Sequence, residues 1–199
     1  MASGRIWLVR HGETEWTLSG QHTGSTDIPL TDNGREQARS LAPILAGEQF
    51  ALVLSSPMSR ARETAKLADM PDPEITDDLC ELGYGECEGR TTAQIRQTTP
   101  GWSVWDDDAP GAEKLADAAA RCKRVIERAE QADGDVALFG HGHIFRILGA
   151  TWIGEPPTGG KVLGLSPASV SILGHEHEYH VLDLWNLTPK FLAKELSAR

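Results

Sequence analysis

Leu8-Val9-Arg10-His11-Gly12-Glu13-Thr14 is the stretch that decides how this chain folds. The apolar run leading into it, Ile6-Trp7-Leu8-Val9, has no polar alternation and predicts a strand buried on both faces. That strand delivers Arg10 and His11 side by side into a turn opened by Gly12. In open α/β sheets, ligands bind at the carboxyl ends of the strands. An imidazole there is a nucleophile or base, and a guanidinium is a planar fork of donors suited to phosphate. Alone, the pair favours a chance juxtaposition at a strand end. The rest of the chain reverses that.

Two further apolar runs repeat the pattern. Ala51-Leu52-Val53-Leu54 precedes Ser55-Ser56-Pro57, where Pro57 suits the first position of a helix carrying Arg60, Ala61, Arg62, Ala65 and Ala68. Val136-Ala137-Leu138-Phe139 ends in Gly140-His141-Gly142-His143 and passes into a helix with Ile144, Ile147 and Leu148 inward. Between the first two strands lie a long polar loop, Trp16 to Leu30, and a helix from about Asp32 to Leu45. Thr31 caps that helix, and Pro43 kinks or ends it. Glu74-Ile75-Thr76 is a short strand, and Trp102 to Gly111 is irregular. The clearest helix runs from about Ala112 to Ala132, with Gly134 at its C′ position. Strands at 168–173 and 179–185 form a hairpin, and a loose helix follows Pro189. Apolar strands alternating with amphipathic helices predict an α/β fold. The expected architecture is a three-layer α/β/α sandwich with a mostly parallel central sheet and one antiparallel edge strand, as one domain over residues 1–199.

Composition bounds the function. The net charge of −10 argues against a nucleic-acid surface or adhesion to anionic membrane, while leaving room for a local basic pocket. Cys80, Cys87 and Cys122 form no C-x-x-C pair and read as reduced thiols of a cytoplasmic protein. No run is long enough to span a bilayer, and the N-terminus has no signal-peptide pattern.

Neighbouring parallel strands would bring His11 and His141 together at one sheet edge. Arg60, opening a helix after a third strand, reaches the same edge, and Glu81 lies in a glycine-punctuated loop that can fold over it. Two histidines, two arginines and a carboxylate then converge where phosphate binds. At this point the sequence resembles the histidine phosphatase superfamily, the phosphoglycerate-mutase-like proteins. The matching segments are Leu8–Thr14, Trp16–Thr31, Ser55–Ala65, Asp78–Gly89 and Phe139–Leu148.

The resemblance implies that His11 becomes phosphohistidine. It also implies that Arg10, Arg60 and a protonated His141 bind phosphoryl oxygens, and that Glu81 is the proton donor. Thr17, Thr23, Gly24, Gly142 and His143 would line the substrate site. No cofactor or metal is implied, because fixed cations take the metal's place. Two positions depart from the family pattern: Thr17 stands where asparagine is usual, and Gln21 where arginine is usual. The expected function is a metal-independent phosphatase for small phosphorylated metabolites, including sugar phosphates or bisphosphates, with a homodimer left open. The stretch from Ser19 to Gly24, with His141-Gly142-His143, resembles sedoheptulose-1,7-bisphosphatase-like members.

A phosphoglycerate mutase is the alternative. It is disfavoured because Gly89 to Gly140 holds Asp106-Asp107-Asp108 and no basic insertion. A non-catalytic phosphate-binding module is less favoured still, since the nucleophile and acid candidates are both present. Arg62, Glu86 and Glu88 read as surface residues, and His22 and His143 as mouth residues or simply exposed. Trp102 and Trp105 read equally as a lid or as packing. The cluster His175, His177 and His180 suggests a metal site, but a solvated hairpin tip is the favoured reading.

Overall fold

A computed structural model of the protein describes residues 4–70, 72–106 and 109–197. Six strands form one sheet: β1 (Ile6–Arg10), β2 (Phe50–Ser55), β3 (Glu74–Ile75), β4 (Asp135–Gly140), β5 (Val170–Glu176) and β6 (Tyr179–Leu187), in the order β3-β2-β4-β1-β5-β6. β1, β2, β3 and β4 are parallel, β5 runs against β1, and β6 returns against β5. The antiparallel pairing is thus confined to one side of the sheet, where the hairpin closes it.

Why the strand runs are apolar throughout follows from the layers. Ile6 and Leu8 of β1, with Val136 and Leu138 of β4, face one helical layer. It comprises α6 (Leu115–Glu130) and α7 (Gly142–Trp152), with the short α5 (Thr92–Thr98) beside it. Trp7 and Val9, with Ala137 and Phe139, face the other layer, formed by α2 (Asp32–Arg39), α3 (Ala42–Leu45) and α4 (Ser59–Leu67). The larger aliphatic and aromatic side chains among them, essentially fully buried, each contribute about 1.5–3 kcal/mol, and Ala137 less.

Several boundaries differ from the expected ones. The loop after β1 begins as a short helix, α1 (Glu15–Ser19), because Thr14 and Thr17 form a reciprocal capping box. The helix expected from 32 to 45 is two, interrupted at Ser40–Leu41, with Pro43 near the start of the second. Pro57 lies ahead of α4, which Met58 caps. Gly134 lies beyond the end of α6, whose last cap is Gln131. The terminal helix, α8 (Pro189–Ser197), follows β6 directly.

Candidate active site

β1 and β4 pair in register, Arg10 opposite Gly140, so the residues that follow them are neighbours. The His11 N–H donates to the Gly140 carbonyl at 3.0 Å, and the two imidazole rings lie 5.2 Å apart, edge to face. His11 is 4% exposed. Its Nδ1–H donates to the carbonyl of Gly12 at 2.7 Å, which leaves Nε2 as the nitrogen with a free lone pair. Burial, then Arg10 and Arg60, push the His11 pKa well below the ordinary imidazole value.

The turn that carries His11 is pinned by a close backbone approach. A Cβ on Gly12 would stand 2.3 Å from the carbonyl oxygen of Gly34, and one on Gly34 would stand 2.1 Å from that of Glu13. The Gly12 N–H donates to Thr64 Oγ1 of α4 at 3.1 Å. One strand and two helices therefore fix the position of the imidazole.

Arg10 packs against the backbone at the start of α7, where a Cβ on Gly142 would come within 3.2 Å of Arg10 Cζ. One terminal nitrogen of Arg10 donates to the Leu165 carbonyl, while its buried Nε has no partner. An orphaned, buried donor nitrogen on a half-buried cation, at the edge where His11 stands, fits an anion.

Behind His11, Arg60 has no exposed surface. Its guanidinium donates to the carbonyls of Thr26 and Gly24 and, through Nε, to His141 Nδ1 at 3.2 Å. His141 in turn donates from Nε2 to Ser56 Oγ at 2.7 Å. With Nδ1 accepting and Nε2 donating, His141 is neutral, contrary to the imidazolium expected from the sequence. Burial, with His11, Arg60 and Arg10 close by, holds its pKa well below the ordinary value. Gly24 thus positions Arg60 through its carbonyl.

Glu81, 9% exposed, sits at the N-terminus of α7. Its Oε1 accepts from the N–H groups of Leu82 and Ile144 at 2.9 and 2.8 Å, and Oε2 accepts from that of His143 at 3.0 Å. A carboxylate from another segment therefore caps this helix, satisfying donors that would otherwise be orphans.

These groups open onto a cavity of about 250 Å³. Arg10, His11 and Glu81 form its chemically active wall; Trp16, Thr17, Gly20, Gln21, His22, Thr23, Tyr84, His143 and Pro167 form the rest. Arg60, His141, Gly24 and Gly142 stand behind this lining. Thr17 lines the cavity, but its hydroxyl donates to the Thr14 carbonyl and accepts from the Thr14 N–H, so its proton is already committed. Thr23 Oγ1 donates to the Gln21 carbonyl at 3.3 Å. Gln21 itself ties the loop to the Gly89 carbonyl.

One sequence reading changes here, that of Glu88, and two left open, those of the tryptophans and of His143, are decided. Glu88 is no surface residue, since its carboxylate accepts from the N–H groups of Gly24 and Thr26 and holds the loop that carries Arg60's acceptors. Trp102 and Trp105 are buried behind the wall, against His22 and His143 respectively, rather than over the mouth. His143 is largely buried, and its Nδ1 shares a 2.7 Å hydrogen bond with the Tyr84 hydroxyl. Burial, with Arg146, His22 and Arg10, keeps His143 neutral. Arg62 and Glu86 are exposed, as expected, and so is Asp106; Asp107 and Asp108 lie outside the described residues. Tyr84 and Trp16 were not singled out in the sequence, where Tyr84 between two glycines, or Trp16 at the head of a polar loop, looks like core or loop packing.

The model of the histidine phosphatase superfamily (branch 1) matches residues 6–188. The chain belongs to that family. An acid phosphatase of Mycobacterium tuberculosis is 39% identical over 189 residues, covering 92% of this chain and 93% of that protein. The sedoheptulose 1,7-bisphosphatase of Saccharomyces cerevisiae is 33% identical, covering 75% and 68%. The solved structure of the Rv3214 open reading frame product from M. tuberculosis superposes with a TM-score of 0.89 at 37% identity, covering 94% of this chain and 98% of that one. The sheet and helical layers are accordingly those of phosphoglycerate-mutase-like proteins, and the named relatives support a phosphatase. No helix among the described residues is long and apolar enough to cross a membrane.

Proposed function

We propose that the protein is a metal-independent phosphomonoesterase acting on small monophosphorylated alcohols through a phosphohistidine on His11. The observation that carries this reading is the pairing of a tautomerically fixed, neutral His11 with the orphaned Nε of Arg10 at one wall of a cavity. His11 Nε2 attacks phosphorus, the P–N bond forms and the ester P–O bond breaks. Glu81, protonated at Oε2, which carries only one N–H bond, gives its proton to the leaving alkoxide. Water then attacks phospho-His11, loses its proton to Glu81, and leaves as inorganic phosphate while the P–N bond breaks. Arg10 neutralises the phosphoryl oxygens directly. Arg60 adds charge from behind and fixes His141, whose Nε2–H can turn from Ser56 to a phosphoryl oxygen.

The lining also bears on substrate class. Among the described residues, Arg10 is the one guanidinium on the cavity wall. Arg146 is turned away, donating to the carbonyls of Gly160 and Lys161 and stacked 4.6 Å over Trp105. A second phosphate or a carboxylate would meet imidazoles held neutral and the Tyr84 hydroxyl, with no cation. This favours a neutral leaving alcohol such as a sugar or polyol over a bisphosphate, and hydrolysis over mutase chemistry, which must grip a multiply charged intermediate.

Trapping with labelled substrate tests the mechanism. The wild type is expected to yield an acid-labile, base-stable phosphoenzyme, and His11→Ala to yield neither label nor turnover. Labelling of His11→Ala would place the nucleophile elsewhere.

A further inference from the structure

At the end of the sheet remote from the cavity, three elements present ligand-type side chains to one another. β5 starts beside the nucleophile, where the Ala168 N–H donates to the His11 carbonyl, and it ends at His175 and Glu176. There His175 pairs directly across the hairpin with His180 of β6, their rings 4.8 Å apart. Glu130, on the last turn of α6, comes to the same place, with Oε1 3.5 Å from His180 Nε2. One donor atom from each of Glu130, His175 and His180 lies within 4.8 Å of the other two.

His180 is oriented. Its ring stacks on Trp152 at 3.8 Å with a 10° interplanar angle, and its Nδ1–H donates to the Trp152 carbonyl at 3.0 Å, at the C-terminal end of α7. A carbonyl on one ring nitrogen directs the lone pair of the other outward, which is the arrangement that supports imidazole ligation of metals. Here that lone pair faces a carboxylate oxygen. Two acceptors facing each other require a cation between them, either a proton or a metal ion.

We propose that Glu130, His175 and His180 bind a borderline divalent cation of the Zn²⁺ class, with solvent completing the coordination. Two imidazoles and one carboxylate suit such an ion and not a hard cation that prefers oxygen alone. Bond lengths of about 2.0–2.2 Å put donor atoms roughly 3.3–3.6 Å apart, so Glu130 and His180, at 3.5 Å, already fit, and the exposed His175 closes the remaining gap by a side-chain adjustment. His177, at the hairpin tip with a φ of 55°, is not part of the set. The ion would clamp the β5–β6 hairpin to the ends of α6 and α7, far from the phosphoryl chemistry, so its role is to stabilise the fold.

The test uses full-length protein without an affinity tag, titrated with Co²⁺ for its visible d–d bands and with Zn²⁺ for thermal shift. The wild type and His177→Ala should both show the cobalt bands and a rise in unfolding temperature with Zn²⁺. A His175→Ala/Glu130→Gln double variant, which leaves the His180–Trp152 contacts intact, should lose both responses. Loss of either ligand alone should weaken binding by at least the roughly 10–100-fold that outer-shell changes cost. Equal responses in the double variant, or none in the wild type, would overturn the proposal and leave His180 paired to Glu130 by a proton alone.

Discussion

A histidine is a useful phosphoryl acceptor only if the attacking nitrogen is unprotonated and aimed. The Gly12 carbonyl achieves the second and burial beside two arginines the first. Glu81 is harder to understand from sequence, because its capping partners lie sixty residues further along the chain. Its place in a glycine-punctuated loop made it a candidate, yet the N–H bonds from His143 and Ile144 that hold it cannot be read from the chain. Glu88 was misread for the same reason: its two backbone partners lie across a loop. Thr17 shows the converse: it lines the cavity as its position implies, but its hydroxyl proton is committed to a local cap that the sequence does not advertise. The role assigned to Glu81 predicts that Glu81→Gln slows hydrolysis of alkyl phosphates far more than that of aryl phosphates, whose leaving groups need little protonation. Steady-state kinetics on one substrate of each kind decides the matter. Equal losses would reduce Glu81 to a helix cap.

At the scale of elements, the three long apolar runs were legible because a strand covered by helices on both faces has no polar alternation to obscure it. Their endings in Arg-His, Ser-Ser-Pro and Gly-His-Gly-His located the site edge. What was not legible were the short helices. α1 and α5 exist through reciprocal capping boxes at Thr14 and Thr91, signals of only four residues each. Nor could the contact between Gly12 and the start of α2 be foreseen, because neither glycine looks unusual on its own. That contact predicts that Gly34→Ala, which forces a methyl to within 2.1 Å of the Glu13 carbonyl oxygen, destabilises the fold by about 1–3 kcal/mol. It should also displace His11 and so depress kcat. Denaturant unfolding measures the first effect and turnover the second. A fully stable, fully active variant would mean that the turn is slack.

Across the whole molecule, catalysis and acid stability draw on the same buried imidazoles with opposite sign. His11, His141 and His143 are each held well below the ordinary imidazole pKa, burial being the first cause in every case. For activity this is favourable: His11 stays a nucleophile at pH values where a free imidazole would be protonated. For stability it is not. As pH falls through about 6.5, the unfolded chain takes up protons that the folded chain refuses, so the contribution present at neutral pH is progressively lost. Each histidine then costs up to about 1.4 kcal/mol per pH unit until its folded pKa is reached. A surface term opposes this loss, because acidification relieves self-repulsion in a chain of net charge −10. A comparison within the protein cancels that term. Removing one imidazole by His143→Asn leaves the acidic surface unchanged, so the slope of unfolding free energy against pH between about 7.0 and 5.5, above the carboxylate range, should become shallower than in the wild type by up to about 1.4 kcal/mol per unit. Guanidinium melts at several pH values provide both slopes. Identical slopes would show that His143 titrates in the folded protein as it does in the unfolded chain, and the acid sensitivity would then have to come from elsewhere.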